Sequence, residues 1–357
     1  MEDQGSDYSK KNTQESNNAL MQQQNINKKK ADALKESLKQ IKKTYGEGAI
    51  ILMDEEMKPV PSLSTGSLLL DKALGVGGLP KGRIVEIFGH EGSGKTTLAL
   101  HIIASAQKIA MEQGTEEKCA FIDAEHAIDM QLAETLGIKL EDLILAQPDN
   151  GEQALEIAET LIRSGSISVL VIDSVAALVP KAELDGEMGE MIVGGQARLM
   201  SHALRKISSI VAKTGTIVVF INQIRLKIGV MYGNPETTTG GLALKYAASI
   251  RIEVRKKSLI KQKDVPIGQE VEFKICKNKV RAPFKTANVE LIYGRGINRT
   301  HELIDLAIEQ GIIEQRGGWF SMGGVQLSQG RENLNQLLST DKELFNKIKN
   351  KIDLTKN

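Results

Sequence analysis

The chain of 357 residues is poor in several things. It has two cysteines, Cys119 and Cys276, each inside an apolar, strand-like run. That excludes a disulfide framework and a multi-cysteine zinc site, and both read as buried, reduced thiols. Aromatic residues make up 4%, too few for recognition by a row of stacked rings. Lys plus Arg number 46 and Asp plus Glu 45, so there is no basic field over the whole molecule. Any grip on a polyanion must come from local patches. No apolar run approaches the ~20 residues of a membrane span, and the N-terminus is polar rather than leader-like. The expectation is a cytoplasmic protein with no membrane contact.

What is present is a 41% hydrophobic chain, enough for one large domain and one or two small ones. Residues 1–30 are polar and rich in Gln and Asn, and are expected to be disordered. Residues 31–57 follow as a helix and a short strand: Leu34, Leu38 and Ile41 share one helical face, Gly46 and Gly48 end the helix, and "AIILM" is strand-like. This segment precedes the core and is available to dock on something else.

From 58 to 299 strands and helices alternate. "GRIVEIFG", "CAFIDAE", "SVLVIDS" and "TIVVFINQ" read as buried strands. Residues 95–113, "GEQALEIAETLIRSG" and "QARLMSHALRKISSIVAKTG" read as helices. In the latter two, Ala154, Ile157, Ala158 and Leu161, then Leu199, Ala203, Ile207 and Ile210, fall in helical phase. Such alternation predicts an α/β fold with a mostly parallel sheet covered by helices on both faces. Ligands in such sheets bind beyond the carboxyl ends of the strands. After 249 the pattern turns strand-rich, and residues 300–357 read as a small C-terminal α/β domain with a short basic tail.

The strongest single motif is "GHEGSGKTT" at 89–97, a complete G-x-x-x-x-G-K-[ST] between a strand and a helix. Gly89, His90, Glu91, Gly92, Ser93 and Gly94 would wrap phosphates with backbone N–H groups. Lys95 would reach the β- and γ-phosphates of ATP, Thr96 would hold Mg²⁺, and Thr97 continues the turn. The helix N-terminus adds partial positive charge. "VLVIDS" ends in Asp173, suited to the Mg²⁺ shell beside such a loop. "FIDAEH" presents Glu125 at a strand's carboxyl end, where a carboxylate can activate water or simply face solvent in a turn. Gln223, ending "VFINQ", is either a γ-phosphate sensor or a plain strand-end hydrogen bond. It precedes "VMYGNPETTTGG" (230–241), a long polar loop of the kind that is functional or disordered.

Together "IVEIFGHEGSGKTTLAL", "CAFIDAEHAID", "QPDNGEQALEI", "LVIDSVAALVPKAEL", "VVFINQIRLKIGVMYGNPETTTGGLALKYAASIR" and "KNKVRAPFK", in this order, closely resemble the bacterial RecA recombinases. The resemblance covers roughly residues 31–340. It implies a DNA-dependent ATPase that forms helical filaments on single-stranded DNA. Such a filament pairs its strand with homologous duplex DNA and activates self-cleavage of the SOS repressor. It also implies roles residue by residue. Lys95, Thr96 and Asp173 bind phosphate and Mg²⁺, Glu125 is the catalytic carboxylate and Gln223 the γ-phosphate sensor. Lys277 and Lys279 of "KNK" reach ATP on a neighbouring subunit, although from the residues alone they read as a solvated strand end. Two loops would face DNA: 183–198 with Arg198, and 230–241 with Met231, Tyr232, Gly240 and Gly241. Ser201 and Arg205 follow on the helix behind the first. The segment 31–57 resembles the one that docks on the adjacent subunit.

The chain departs from the family pattern in places. Leu132 stands where a Tyr often lies near adenine, leaving Tyr293 to pack on the base. The first loop reads "EMIVGG" where many members carry "DSHMGL". "MEQGTEEK" is a few residues longer than usual, and the C-terminus is basic where an acidic tail is common, which implies weaker tail autoinhibition. A ring-forming motor on the same core and a nucleotide-gated scaffold with little turnover remain alternatives.

Overall fold

A computed structural model describes residues 5–46, 49–50, 60–187, 194–226, 233 and 235–354. It divides into two units, Met1–Pro59 and Val60–Asn357.

Among the described residues of the first unit there is one long helix, α1 (Gly5–Tyr45). It therefore runs through most of the stretch that composition marks for disorder. The physical reason is local: Ser6 to Tyr45 contain no Pro or Gly, and the helix formers Lys and Gln are among the commonest residues. Gly46, with φ 97°, ends it as expected, its N–H on Lys42 O. Leu34 is exposed, while Leu38 and Ile41 are half-buried. The greater part of the "AIILM" strand lies outside the described residues.

In the second unit, β1 (Ser62–Leu63), α2 (Leu68–Leu74) and β2 (Leu79–Pro80) lead into the alternating core. There follow β3 (Ile84–Gly89), α3 (Lys95–Gln113), β4 (Lys118–Asp123), α4 (Met130–Thr135), β5 (Leu143–Ala146) and α5 (Gly151–Arg163). Next come β6 (Ile167–Asp173), α6 (Lys181–Leu184), α7 (Gly195–Thr214), β7 (Ile217–Leu226), β8 (Glu236–Thr238) and α8 (Ala243–Ala247). The strand-rich part is β9 (Ile250–Gln262), β10 (Val265–Asn278), β11 (Thr286–Ile292) and β12 (Gly296–Ile297). The ten-stranded sheet has the order β12-β11-β10-β9-β3-β7-β6-β4-β5, with β8 paired on β7. From β9 to β5 neighbours are parallel; from β9 to β12 they are antiparallel.

Strict alternation along the central strands explains the two-sided burial. Val85, Ile87, Phe121, Val169, Val171, Val219 and Ile221 face one apolar cluster, packed by Leu98, Ile102 and Ile103 of α3. Ile84, Ile122, Leu170, Ile172, Val218 and Phe220 face a second, packed by α5 and α7. Period-2 side chains on strands buried on both faces leave no polar alternation to read, which is why these strands appear as unbroken apolar runs. Cys119 is buried in β4, Cys276 is half-buried in β10, and both are free thiols.

The C-terminal part is α9 (Arg299–Glu309), the antiparallel β13 (Glu314–Arg316), β14 (Trp319–Met322) and β15 (Val325–Gln329), then α10 (Arg331–Thr340) and α11 (Lys342–Lys349). It has its own cluster around Leu303, Phe320, Leu334 and Leu338. Ile348 is fully buried and Leu344 and Phe345 pack beside it, so the stretch 341–349 is a core helix rather than a tail. A buried carboxylate ties this part to the core. Glu302 of α9 accepts from Ser67 Oγ and, at 3.0 Å, from Leu68 N at the start of α2. Burial pushes the Glu302 carboxyl up to about 7 despite those donors, with Asp71 nearby adding to the rise.

Candidate nucleotide site and loop base

β3 is followed in sequence by β4, which lies three places away across β7 and β6. The carboxyl ends of these strands bring the sequence-predicted residues together. Gly89 is in register with Gln223 of β7, and Asp123 with Asp173 of β6. The loop from 89 to 94 caps α3, and its tightness is required. A Cβ on Gly89 would sit 2.3 Å from Val254 O, and Gly94, at φ 98°, would place one 2.6 Å from Leu291 Cδ1. Gln269 Nε2 holds the loop from β10 by donating to Gly92 O at 3.0 Å.

Thr96 Oγ1 donates to Asp173 Oδ2 at 2.7 Å, so the two residues expected around Mg²⁺ are in contact. Asp173 is buried, which pushes its carboxyl up to about 6. The Thr96 hydrogen bond and the Lys95 charge work against that rise, and Glu125 works with it. Burial likewise lowers the Lys95 amine, while Asp173 and Glu125 pull it back up. Lys95 Nζ donates to His90 O at 2.7 Å. Ser93 Oγ is buried without a hydrogen-bond partner among the described residues. An orphaned hydroxyl in a loop of N–H donors, a part-desolvated ammonium and a Thr–Asp oxygen pair fit a nucleotide triphosphate with a hard divalent cation.

Glu125, exposed just past β4, accepts from Ser174 Oγ and, at 2.8 Å, from Gln223 Nε2. Arg225 Nη2 donates to Gln223 Oε1 at 2.6 Å. Asp123 is structural: its oxygens accept from Ala127 N, Ile128 N and Gln147 Nε2 at 3.1, 3.3 and 3.2 Å. Sequence reasoning missed Ser174 and Arg225. A serine after the strand-end Asp and an arginine two places past Gln223 were the available signals.

Beyond Gln223 the strand runs three residues further than expected and pairs with β8, Ile224 opposite Thr238 and Leu226 opposite Glu236. The described strands on either side of residues 227–235 thus pair as an antiparallel hairpin. Its base is anchored: Asn222 Nδ2 donates to Glu86 Oε1 at 3.0 Å and to Thr239 O at 3.1 Å. Glu86 is also paired with Arg251 at 2.5 Å, deep in the sheet, and Arg251 stacks 4.4 Å over Phe88. Gly240 is buried against Val175 and Met200, whereas Gly241 is exposed beside Ala197 near the start of α7. Met231 and Tyr232 lie outside the described residues. Arg198, Ser201 and Arg205 line one side of α7, the two arginines exposed and Arg205 Nε donating to Ser201 O at 3.2 Å.

Lys277 and Lys279 are not brought to this phosphate loop. Lys277 pairs with Arg251, itself opposite Glu86, three residues before Gly89 and so roughly 10 Å back along the strands. Their amines sit on the carbonyl oxygens of α8: Lys277 on Lys245 O and Tyr246 O at 2.8 and 3.0 Å, Lys279 on Tyr246 O at 3.5 Å. Leu132 packs on the first core cluster, and Tyr293, just after β11, is half exposed. No helix among the described residues is long and apolar enough to cross a membrane.

A complete phosphate loop at the head of a mostly parallel sheet, with carboxylates on the neighbouring strand ends, defines a P-loop nucleotide-binding protein. Comparison with known proteins narrows this. The RecA N-terminal domain model matches residues 32–298, and the RecA C-terminal domain model matches 301–355. Protein RecA of Geobacter sulfurreducens is 55% identical over 322 residues, 90% of this chain and 94% of the relative. Protein RecA of Rickettsia bellii is 55% identical over 325 residues, and that of Ehrlichia canis 52% over 329. The chain belongs to the RecA family of ATP-binding DNA recombination and repair proteins.

Proposed function

We propose that this protein is a DNA-dependent ATPase that assembles as a helical filament on single-stranded DNA and carries out homologous pairing and strand exchange with duplex DNA. The observation that carries the reading is the contact from Glu125 to Gln223 at the root of the 227–235 hairpin tip. It supports a direct coupling of nucleotide state to a DNA-facing loop.

In this reading Gly89 to Thr97 hold ATP, and Thr96 with Asp173 hold Mg²⁺, which when bound neutralises phosphate charge. Lys95 orients the β- and γ-phosphates. Glu125 positions and deprotonates the attacking water. Gln223, between Glu125 and Arg225, senses the γ-phosphate. Arg198, Ser201 and Arg205 on α7, with the two loops, hold the DNA backbone without reading sequence. Lys277 and Lys279 act on ATP of an adjacent subunit. Their distance from this chain's own phosphate loop supports that role. So does the Lys277 amine, lowered by burial and by the Lys279 and Arg251 charges, which favours an incoming anion. The segment 31–57 docks on the next subunit, Tyr293 packs on adenine, and the filament works in the cytoplasm, where it activates repressor self-cleavage.

Strand exchange is the test. With ATP and Mg²⁺, circular single strands and homologous linear duplex should yield joint molecules, and heterologous duplex none. Equal yields from both duplexes, or none from either, would refute the reading.

A further inference from the structure

The phosphate loop touches the hairpin at a second point. His90 is the second residue of that loop, with an exposed imidazole. Its Nε2 lies 3.3 Å from Glu236 Oε1. Glu236 opens β8, the strand by which the chain returns from the loop tip, and stands opposite Leu226 of β7. The other Glu236 oxygen lies 3.5 Å from Arg255 Nη2, and Arg255 is fixed in turn by Glu253 at 2.6 Å. Glu236 is therefore held between the imidazole of the phosphate loop and a guanidinium of β9.

The two strands of the hairpin thus have separate ties to the nucleotide site. The outgoing strand is tied by Gln223 to Glu125, the returning strand by Glu236 to His90. The second tie also has a ready input. Lys95 Nζ donates to His90 O at 2.7 Å. An ammonium has three donors, one of them on this carbonyl, and phosphate oxygens are stronger acceptors than a peptide carbonyl. A phosphate that draws Lys95 towards it weakens the hold on the carbonyl of the residue whose imidazole lies against Glu236.

We propose that His90 is a positioning residue that relays phosphate occupancy from Lys95 to Glu236 and so to the returning strand of the hairpin, in parallel with Gln223. The relay rests on the reading of that hairpin as DNA-facing. It acts on the ratio of single-stranded DNA affinity with and without nucleotide. Its size is about two- to fivefold, the range of an exposed side-chain contact to a carboxylate.

The test is a double-mutant cycle in the full chain. Single-stranded DNA affinity is measured with and without a non-hydrolysable ATP analogue, for wild type, His90→Ala, Glu236→Gln and the double variant. Each single variant should reduce the affinity ratio about two- to fivefold, and the double no further than the larger single. His90→Lys, which keeps a donor facing Glu236, should keep the wild-type ratio. A structural role alone would not give non-additivity with lysine rescue. Additive losses, or an unchanged ratio in His90→Ala, overturn the relay while leaving the functional reading intact. A wild-type ratio of one overturns the functional reading and the relay with it.

Discussion

Gln223 Nε2 donates to Glu125 Oε1 across 2.8 Å, joining β7 to the turn that follows β4. Arg225 braces the same amide through its oxygen at 2.6 Å. Three groups thus share one hydrogen-bond chain, and a deletion in its middle should separate events that are normally linked. Gln223→Ala is expected to keep ATP binding and to lose the ATP-dependent rise in DNA affinity. Nucleotide binding by fluorescence and DNA binding by anisotropy check this. Unchanged ATP-dependent DNA binding would sink the sensor role.

Glu125→Gln keeps the size of the side chain and its contacts with Ser174 and Gln223 but removes the base. Loss of a positioned general base costs about 10²–10⁴-fold in rate. Steady-state ATP hydrolysis should fall by that order while ATP affinity holds. Turnover within a few-fold of wild type would move the base to another residue.

Gly89→Ala places a methyl 2.3 Å from Val254 O and 3.0 Å from Ser93 Oγ. The carbonyl belongs to a central strand and has no room to yield. Overpacking of this kind costs about 1–3 kcal/mol. The urea midpoint should drop accordingly, with weakened nucleotide binding. An unshifted midpoint would mean that β9 relaxes more freely than its place in the sheet implies.

Glu302 gives a pH signature. Burial raises its carboxyl from the ordinary 4.5 to about 7, so the fold keeps the proton over a range in which the unfolded chain releases it. The stabilisation is full below about 4.5 and is lost as pH rises through about 7, at most about 3 kcal/mol. Asp71, raised by burial to about 6, adds a slope of the same sign at lower pH. Urea unfolding at pH 5 and pH 8 should show Glu302→Gln with a flatter pH dependence than wild type. Equal slopes would remove Glu302 from the balance.

Much of the fold and site was legible in the chain because the physics is local. A full phosphate loop needs its glycines, and Asp173, Glu125 and Gln223 each close an apolar run that only a buried strand explains. Other features depended on partners distant in sequence. Nothing near Glu86 announces that it pairs with Arg251 and Asn222, or near Ser67 that it meets Glu302. The 227–235 loop gave no sign that its flanks pair as β7 and β8, since "ETT" is too short and polar for a periodic signal. Composition does not separate Gly240 from Gly241, yet Gly240 is buried against Val175 and Met200 while Gly241 is exposed. The charges of "DKELFNKIKNK" suggested a solvated tail, whereas Leu344, Phe345 and Ile348 at helical spacing pack into the C-terminal core. The Gln-rich N-terminus lacked an apolar face to read, but it also lacks helix breakers, and α1 runs through it.

The most direct measurement is ATP turnover with and without single-stranded DNA, with the same samples imaged by electron microscopy. Hydrolysis is expected to rise many-fold with single-stranded DNA, on open helical filaments. Closed rings, or turnover indifferent to DNA, would contradict the proposed function.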